Sequence, residues 1–564
     1  MEKVWLNNYE PRVPHTLDYP ELSLYQLFNQ TAETHKEKAA VHFMGKELTY
    51  GELHSQAESL ASALSEMGVK KGDRVAIHLP NSTQFPIAFF AALSLGAIVV
   101  PCNPLYVARE MEYQLKDSGA ETIITLTRFY KMIKEVQPKT NVKNVIVSHI
   151  KDYFPGFLSF LYTVAKEKKE GDKVEIARED YSFTDLINKY SGKKPPQVEV
   201  VPSDRAVFLY TGGTTGVSKG AILQHRNLVA NCLQVKSWCT DYQDGKEVIL
   251  GVLPFFHSYG LTTILNLGLL NGAKLVLLPR FELENVLKAI DKQKPTLFPG
   301  VPTIYVAINN AQNLHKYDIK SIRVCISGAA PLPVEVQQEF EKNTGGKLVE
   351  GYGLSETSPV THANPIYGKR KPGSIGLPMP DTEYKIVDVE TGDKEMPVGE
   401  PGEICIRGPQ VMEGYLNMPD ETAQSIRNGW FFTGDIAKAD EEGYAYIVDR
   451  KKDMVIAGGF NIYPRDIEEV LYAHPKIMEA AVAGIRDPYR GETLKAYVVL
   501  REGESLTEEE VREHCKANLA PYKVPKLVDF RDELPKTMIG KVLRRMLREE
   551  EEKKNQEQDQ EKEQ

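Results

Sequence analysis

The chain has 564 residues, a formal net charge of −9 and 42% hydrophobic content. That length calls for several domains with large cores, and the mildly acidic balance excludes a dedicated nucleic-acid binder, whose footprint would be basic. Six cysteines, at 102, 232, 239, 325, 405 and 515, contain no CxxC pair; this excludes a disulfide framework or zinc ribbon and fits a reducing cytoplasm.

The first twenty residues, MEKVWLNNYEPRVPHTLDYP, have no apolar core of the signal-peptide kind. RVAIHLP (74–80) opens a series of short apolar runs, continued by ETIITL (121–126), KNVIVS (143–148), RAVFLYT (205–211), AKLVLLP (273–279) and IRVCISG (322–328). All but KNVIVS end in or run into a Gly, Pro, Asn or Thr, and helical patterns follow, the rhythm of mostly parallel sheets covered by helices. FPIAFFAALSLGAIVVP (85–101) is short for a membrane span and is interrupted by Pro and Gly. It reads as a buried helix ending at Gly96, followed by the strand AIVVP. Residues 152–173, DYFPGFLSFLYTVAKEKKEGDK, set an aromatic-aliphatic run beside a lysine-rich one. Two readings stand: a surface element that touches membrane or admits a greasy ligand, or an ordinary amphipathic helix packed on the core.

The stretch YTGGTTGVSKG (210–220) has the composition of a phosphate loop. Glycines 212, 213 and 216 let backbone N–H groups approach an anion. Thr211, Thr214, Thr215 and Ser218 supply hydroxyls, and Lys219 a cation. It is not a Walker A loop, because no Ser or Thr follows the lysine. It follows the strand RAVFLY and precedes the helical pattern HRNLVANCLQV, so a phosphate there is expected near a helix N-terminus. Between about 380 and 450, DTEYKIVD, GEICIRG and EGYAYIVDR suggest a β-rich subdomain. After Arg450 comes a smaller α+β unit with a helix from about 507 to 519. The tail from about Arg548 is charged and Gln-rich and reads as a frayed helix or a disordered segment.

The loop resembles the signature of the adenylate-forming superfamily of acyl-CoA synthetases, luciferases and adenylation domains. The other motifs of that superfamily follow in order: PFFHSYG (254–260), SGAAPLP (327–333), EGYGLSE (350–356), GEICIRGPQVMEGY (402–415), GWFFTGDIA (429–437), DRKKDMVIAGGFNIYPRDIEE (449–469) and LPKTMIGKVLRR (534–545). The resemblance covers about 40 to 545. It implies an α/β fold: a large N-terminal AMP-binding domain, 1–449, with its β-rich subdomain at about 380–449, and a small mobile α+β lid, 450–545. The remaining tail is 546–564.

The resemblance also implies a two-step reaction. A carboxylate attacks the α-phosphate of ATP to give acyl-AMP and diphosphate; a thiol, usually CoA, then takes the acyl group. Lys541 would bridge carboxylate and α-phosphate, with Lys536 the weaker candidate. Glu356 and Thr214 would hold Mg²⁺, and the 211–219 loop the phosphates. Tyr352 would stack on adenine in a slot of Gly328, Ala329, Glu350, Gly351 and Gly353. Ser355 would touch phosphate, and Asp435, read in a strand-end turn and assisted by Arg450, would bind the ribose. Lys452 falls at the hinge. Gly458 and Gly459 would let the pantetheine arm pass, and Ile456 stands where several relatives have lysine, so no cation is assigned to the thioester step. His257 reads equally as a gate to the acyl pocket or as a packing residue.

The aliphatic and aromatic loops PFFHSYGLTTILNLGLL and LFPGVPTIY favour a fatty acid, and the 150–190 segment and the 429–459 block resemble those of bacterial long-chain fatty-acid–CoA ligases. Medium-chain or aryl acids stay open, as does an acyl-AMP ligase that passes the acyl group to a carrier protein. A non-catalytic sensor and a P-loop ATPase are disfavoured. Expected partners are a fatty acid, ATP and CoA, without nucleic acid. Peripheral membrane contact through 152–173 and a homodimer are left open.

Overall fold

The computed structural model describes residues 3–211, 218–457, 460–487, 491–537 and 542–563. It has the mixed α/β character expected, and the chain divides into two compact units. The larger comprises Trp5–Glu383 with Ile406–Phe431; the smaller comprises Met1–Val4, Tyr384–Cys405 and Phe432–Gln564.

The larger unit is built on an eight-stranded sheet. Arg74–His78 lies at its centre, parallel to Ile98–Pro101 and Thr122–Leu126, and Asn144–Ser148 continues the parallel run. These are the β-branched runs read from the sequence. The helix Gln84–Ser94 is buried at every position, which explains its membrane-like composition. Gly96 ends it in the left-handed region at φ +66°, where a Cβ would meet Lys71 Cγ at 2.9 Å. Among the described residues no helix is long and apolar enough to cross a membrane.

A second group of strands carries the motifs. Val324–Ser327 pairs in parallel with Lys347–Gly353, which pairs antiparallel with Val360–Ala363. Ligand-bearing loops gather at such strand ends. Local signals agree with the packing: Thr49 and Glu52 form a reciprocal capping box at the start of the helix Tyr50–Glu66.

In the smaller unit, Ile477–Asp487 and Gly491–Leu500 form a long antiparallel pair joined in parallel by Leu527–Phe530. Helices Pro464–Tyr472 and Glu508–Asn518 supply Ile467, Leu471, Val511 and Cys515 to a core shared with Val482 and Val498. The charged tail is helical, within Arg544–Glu563. All six cysteines are buried, and none forms a disulfide.

Three expectations need correction. First, the 211–219 loop precedes a helix as expected but does not adjoin its start, so a phosphate at the loop would not lie near that helix N-terminus. Lys219–Gln224 is a strand antiparallel to Arg205–Thr211, with Thr211 opposite Lys219, and the next helix, His225–Trp238, begins only after it. Six extended residues place that helix start about 20 Å further along the chain. The run KGAILQ pairs with its neighbour and buries every residue after Lys219, so it cannot serve as a helix entry. Second, Asp435 is not in a strand-end turn but inside the strand Trp430–Ala439. Third, the helix Gly156–Ala165 does not pack its apolar face on the core, since none of its residues is buried.

Four histidines of the larger unit make its stability depend on acid. Burial lowers the pKa of His78 and His362 to about 3 and of His225 and His257 to about 4. In the unfolded chain they titrate near 6.5. Their neutral burial therefore contributes fully above about pH 6.5 and is lost as pH falls towards the folded values. Each contributes up to roughly 1.4 kcal/mol per pH unit in that window. Urea unfolding followed from pH 7 to 5 should show stability falling with an uptake of several protons; a flat profile would count against neutral burial.

Candidate active site

The motifs of the larger unit converge through hydrogen bonds. Gly414–Tyr415 adds to the edge of the eight-stranded sheet, with Tyr415 opposite Ala221 and Gly414 opposite Ile222. This brings the end of the 402–415 motif beside the strand that carries Lys219. The Lys219 amine lies 5.3 Å from the centre of the Tyr415 ring and pairs with Glu421. Glu421 sits in the first turn of the helix Pro419–Ser425. The Tyr415 hydroxyl donates to Glu356 Oε1 at 2.9 Å. Burial and the Glu356 charge push the Tyr415 pKa well up, so it stays a phenol able to donate. A cation, a phenol and two carboxylates thus form one connected cluster at the foot of the 211–219 loop.

That foot is braced locally. Ser218 Oγ donates to the Thr211 carbonyl at 2.7 Å, and Tyr113 donates to the Ser218 carbonyl at 2.8 Å. Thr211 Oγ1 reaches the Lys219 carbonyl at 3.4 Å. Gly212, Gly213, Thr214, Thr215 and Gly216 lie outside the described residues, as do Gly458, Gly459 and Lys541.

The 350–356 motif forms the end of its strand and the following turn. Met412 N–H donates to the Glu356 carbonyl at 2.8 Å, holding the turn against the 402–415 motif. Gly353 passes so close to Pro359 that a Cβ would stand 2.0 Å from its carbonyl oxygen; only glycine fits there. The Tyr352 ring lies edge-on to His362, 6.2 Å between centroids. Glu350 is buried, and its Oε2 accepts from Leu332 N–H at 3.2 Å. This ties the strand carrying Tyr352 to the 327–333 motif. Ala329 in that motif is exposed and left-handed, at φ +68°.

PFFHSYG joins the same assembly. Ser258 Oγ and Ser355 Oγ are 3.2 Å apart. Tyr259 donates to the Ile326 carbonyl at 2.6 Å, and a Cβ on Gly328 would meet its ring at 3.0 Å. His257 Nδ1 accepts from Tyr259 N–H at 3.2 Å, so one ring nitrogen caps a turn while burial holds the imidazole neutral. The following residues, read as part of a loop, are helical instead. Leu261–Asn266 is a buried π-helical segment, a form that recurs at functional sites. Sequence reading missed Tyr259, Tyr415 and Glu421. The two tyrosines lay inside quoted motifs; Glu421 had no sequence signal.

In the smaller unit, Asp435 pairs across the sheet with Arg450, whose Nε is 3.7 Å from Asp435 Oδ1. The strand is kinked there, with Gly434 at φ +72° and a register shift just after Ile436, the type of bulge that re-aims a side chain. Lys452, though exposed overall, has its amine lowered to about 8 by lost hydration and by the Arg450 charge. Lys536 pairs with Glu479. Arg544 is held by three carboxylates: Glu468 at 2.5 Å, and Asp449 and Asp453 each at 3.3 Å.

A family model described as AMP-binding enzyme matches residues 28–416, and one described as AMP-binding enzyme C-terminal domain matches 466–541. The chain belongs to the AMP-binding enzyme family. Within it, the chain is 47% identical to a long-chain-fatty-acid–CoA ligase of Bacillus subtilis over 98% of both chains. It is 41% identical to a protein of the same name from Escherichia coli, again over 98% of both. A 4-coumarate–CoA ligase from Nicotiana tabacum is 34% identical over 92% of this chain and 93% of its own. Among solved structures, ATP-bound MatB from Rhodopseudomonas palustris superposes with a TM-score of 0.82 at 31% identity, covering 94% of this chain and 99% of its own.

Proposed function

We propose that this member of the family is an ATP-dependent fatty-acid–CoA ligase. A long-chain fatty acid, ATP and CoA give acyl-CoA, AMP and diphosphate through an acyl-adenylate. The carrying observation is the near full-length identity of 40–47% to curated long-chain-fatty-acid–CoA ligases.

The site residues follow as part of the proposal. An anion must approach a polyanion, so cations and N–H donors have to meet the charge that builds on the α-phosphoryl group. We assign that task to the 211–219 loop and to Lys541. Tyr352 stacks on adenine, with Gly328, Ala329, Glu350, Gly351 and Gly353 around it and Ser355 towards phosphate. Asp435 and Arg450 serve the ribose, His257 borders the acyl group, and Gly458 and Gly459 line the thiol path. Lys452 is the pivot of the smaller unit between half-reactions.

Glu356 fits a Mg²⁺ site of the phosphate-sharing kind. Among the described residues no cluster of three or more His, Cys, Asp or Glu could hold a metal. A single half-buried carboxylate suits an ion that takes one or two protein oxygens and completes its shell with water and phosphate. With Thr214 it would hold the ion, which when bound would neutralise phosphate charge.

ATP–diphosphate exchange with acids of two to eighteen carbons tests the reading. Exchange should peak among the long chains, and adding CoA should release AMP and thioester. A peak at six carbons or fewer, or with 4-coumarate, would defeat the long-chain assignment. The 34% identity to the tobacco enzyme makes an aryl acid the specific competitor.

A further inference from the structure

The helix Gly156–Ala165 of the larger unit faces the wrong way for a helix that stabilises a core. Phe157, Phe160, Leu161 and Val164 are 75%, 64%, 43% and 72% exposed. Their spacing of three, four and seven places them on one face. The polar side chains are the ones fastened to the protein. Tyr162 donates to Asp172 Oδ2 at 2.5 Å and accepts from Arg128 at 2.9 Å, and its ring packs edge-on against Phe154 and His149. Thr163 accepts from Lys151 at 2.8 Å. Asp172, fully buried, also accepts from Thr127 and Arg128. This network fixes the helix with its apolar stripe outward, a patch that marks an interaction site when it is held in place.

The charge beside the stripe is one-sided in effect. Glu167 pairs with Lys151, Glu170 lies 3.5 Å from Arg128, and Asp172 is consumed as above. Lys166, Lys168, Lys169 and Lys173 are exposed, and no ion pair involves them among the described residues. An apolar face flanked by unpaired lysines is the pattern of a helix lying in a membrane interface with anionic headgroups. A second copy is a poorer occupant, since a two-fold contact pairs this patch with an identical one, which among the described residues offers the lysines no unpaired anion.

We infer that the Gly156–Ala165 helix docks the protein on an anionic lipid bilayer. The inference deepens the proposed function and rests on it in one respect: a long-chain acid partitions into bilayers, so docking places the enzyme where its substrate is. Sedimentation of the full-length protein with vesicles of equimolar phosphatidylglycerol and phosphatidylcholine tests it. The wild type should bind, and F157E/F160E should lower the partition coefficient at least about tenfold. K166Q/K168Q/K169Q/K173Q should remove the preference over pure phosphatidylcholine vesicles. Both variants should keep thioester synthesis from acid supplied in dilute detergent. Failure of the wild type to bind, or wild-type binding by both variants, would overturn the inference. So would a lipid-free dimer that F157E/F160E converts to monomer, which would assign the stripe to a second copy. Vesicle binding with the expected variant losses, but without any ligase activity, would uphold the docking surface and sink only the ligase reading.

Discussion

Replacing Lys541 with alanine should lower ATP–diphosphate exchange by on the order of 10²–10³-fold, the usual cost of removing one group aimed at developing charge. Consumption of a pre-made acyl-adenylate by CoA should stay near the wild-type rate. The asymmetry follows from the chemistry of the two steps. In the first, a carboxylate nears a triphosphate and negative charge accumulates at the α-phosphoryl group; a compact ammonium placed there is worth most. In the second, the attacked carbon is a carbonyl already activated by phosphate, and no polyanion has to be approached. Measuring both half-reactions on one preparation separates the proposed role from general damage. Equal losses in both steps, or an unimpaired first step, would refute it.

Replacing Arg544 with methionine should destabilise the smaller unit by about 3–5 kcal/mol, because it strands carboxylates that are largely out of water. The Asp449, Asp453 and Glu468 side chains are only 2%, 7% and 12% exposed and share the Arg544 guanidinium; Arg548 pairs with Asp453. Loss of the positive charge should raise the folded-state pKa values of these acids above their unfolded ones. Protonation then favours the folded variant, so its deficit against wild type should shrink as pH falls from about 7.5 to 5. Thermal unfolding of both proteins at the two pH values checks this. A deficit that does not change with pH would mean that packing, and not charge, is what Arg544 provides. Arg544 opens the helix that follows Lys541 by three residues, so the same variant should also slow exchange.

Much of the fold was legible because the central strands are short β-branched runs ended by turn residues. RVAIHLP, ETIITL and KNVIVS became Arg74–His78, Thr122–Leu126 and Asn144–Ser148. Ordered motifs likewise gave the family. The strand Lys219–Gln224 was not read from the sequence, because a short run with three apolar residues at most in a row carries no period that sets a strand apart from a loop; its antiparallel pairing is a tertiary fact. The Lys219–Glu421 pair joins residues about two hundred positions apart, and only the folded sheet edge reveals it. Asp435 was assigned to a turn because its Gly neighbour suggests one, whereas that glycine kinks a continuous strand. The segment at 152–173 was visible as an aromatic-aliphatic run beside lysines, but composition does not say which way an apolar face turns. Asp172 and Arg128 decide the direction, and neither belongs to the helix.

The antiparallel pairing of Arg205–Thr211 with Lys219–Gln224 carries one more implication. A helix start at the loop would have lent a permanent electrostatic attraction, built into the backbone and impossible to withdraw. A hairpin lends none. Under the proposed function, support for a nucleotide falls to amide hydrogens and to amines on flexible stems, and an amine can leave. In the proposed reading, such a site can hold a triphosphate and release a monophosphate without any rearrangement of the strand pair beneath it.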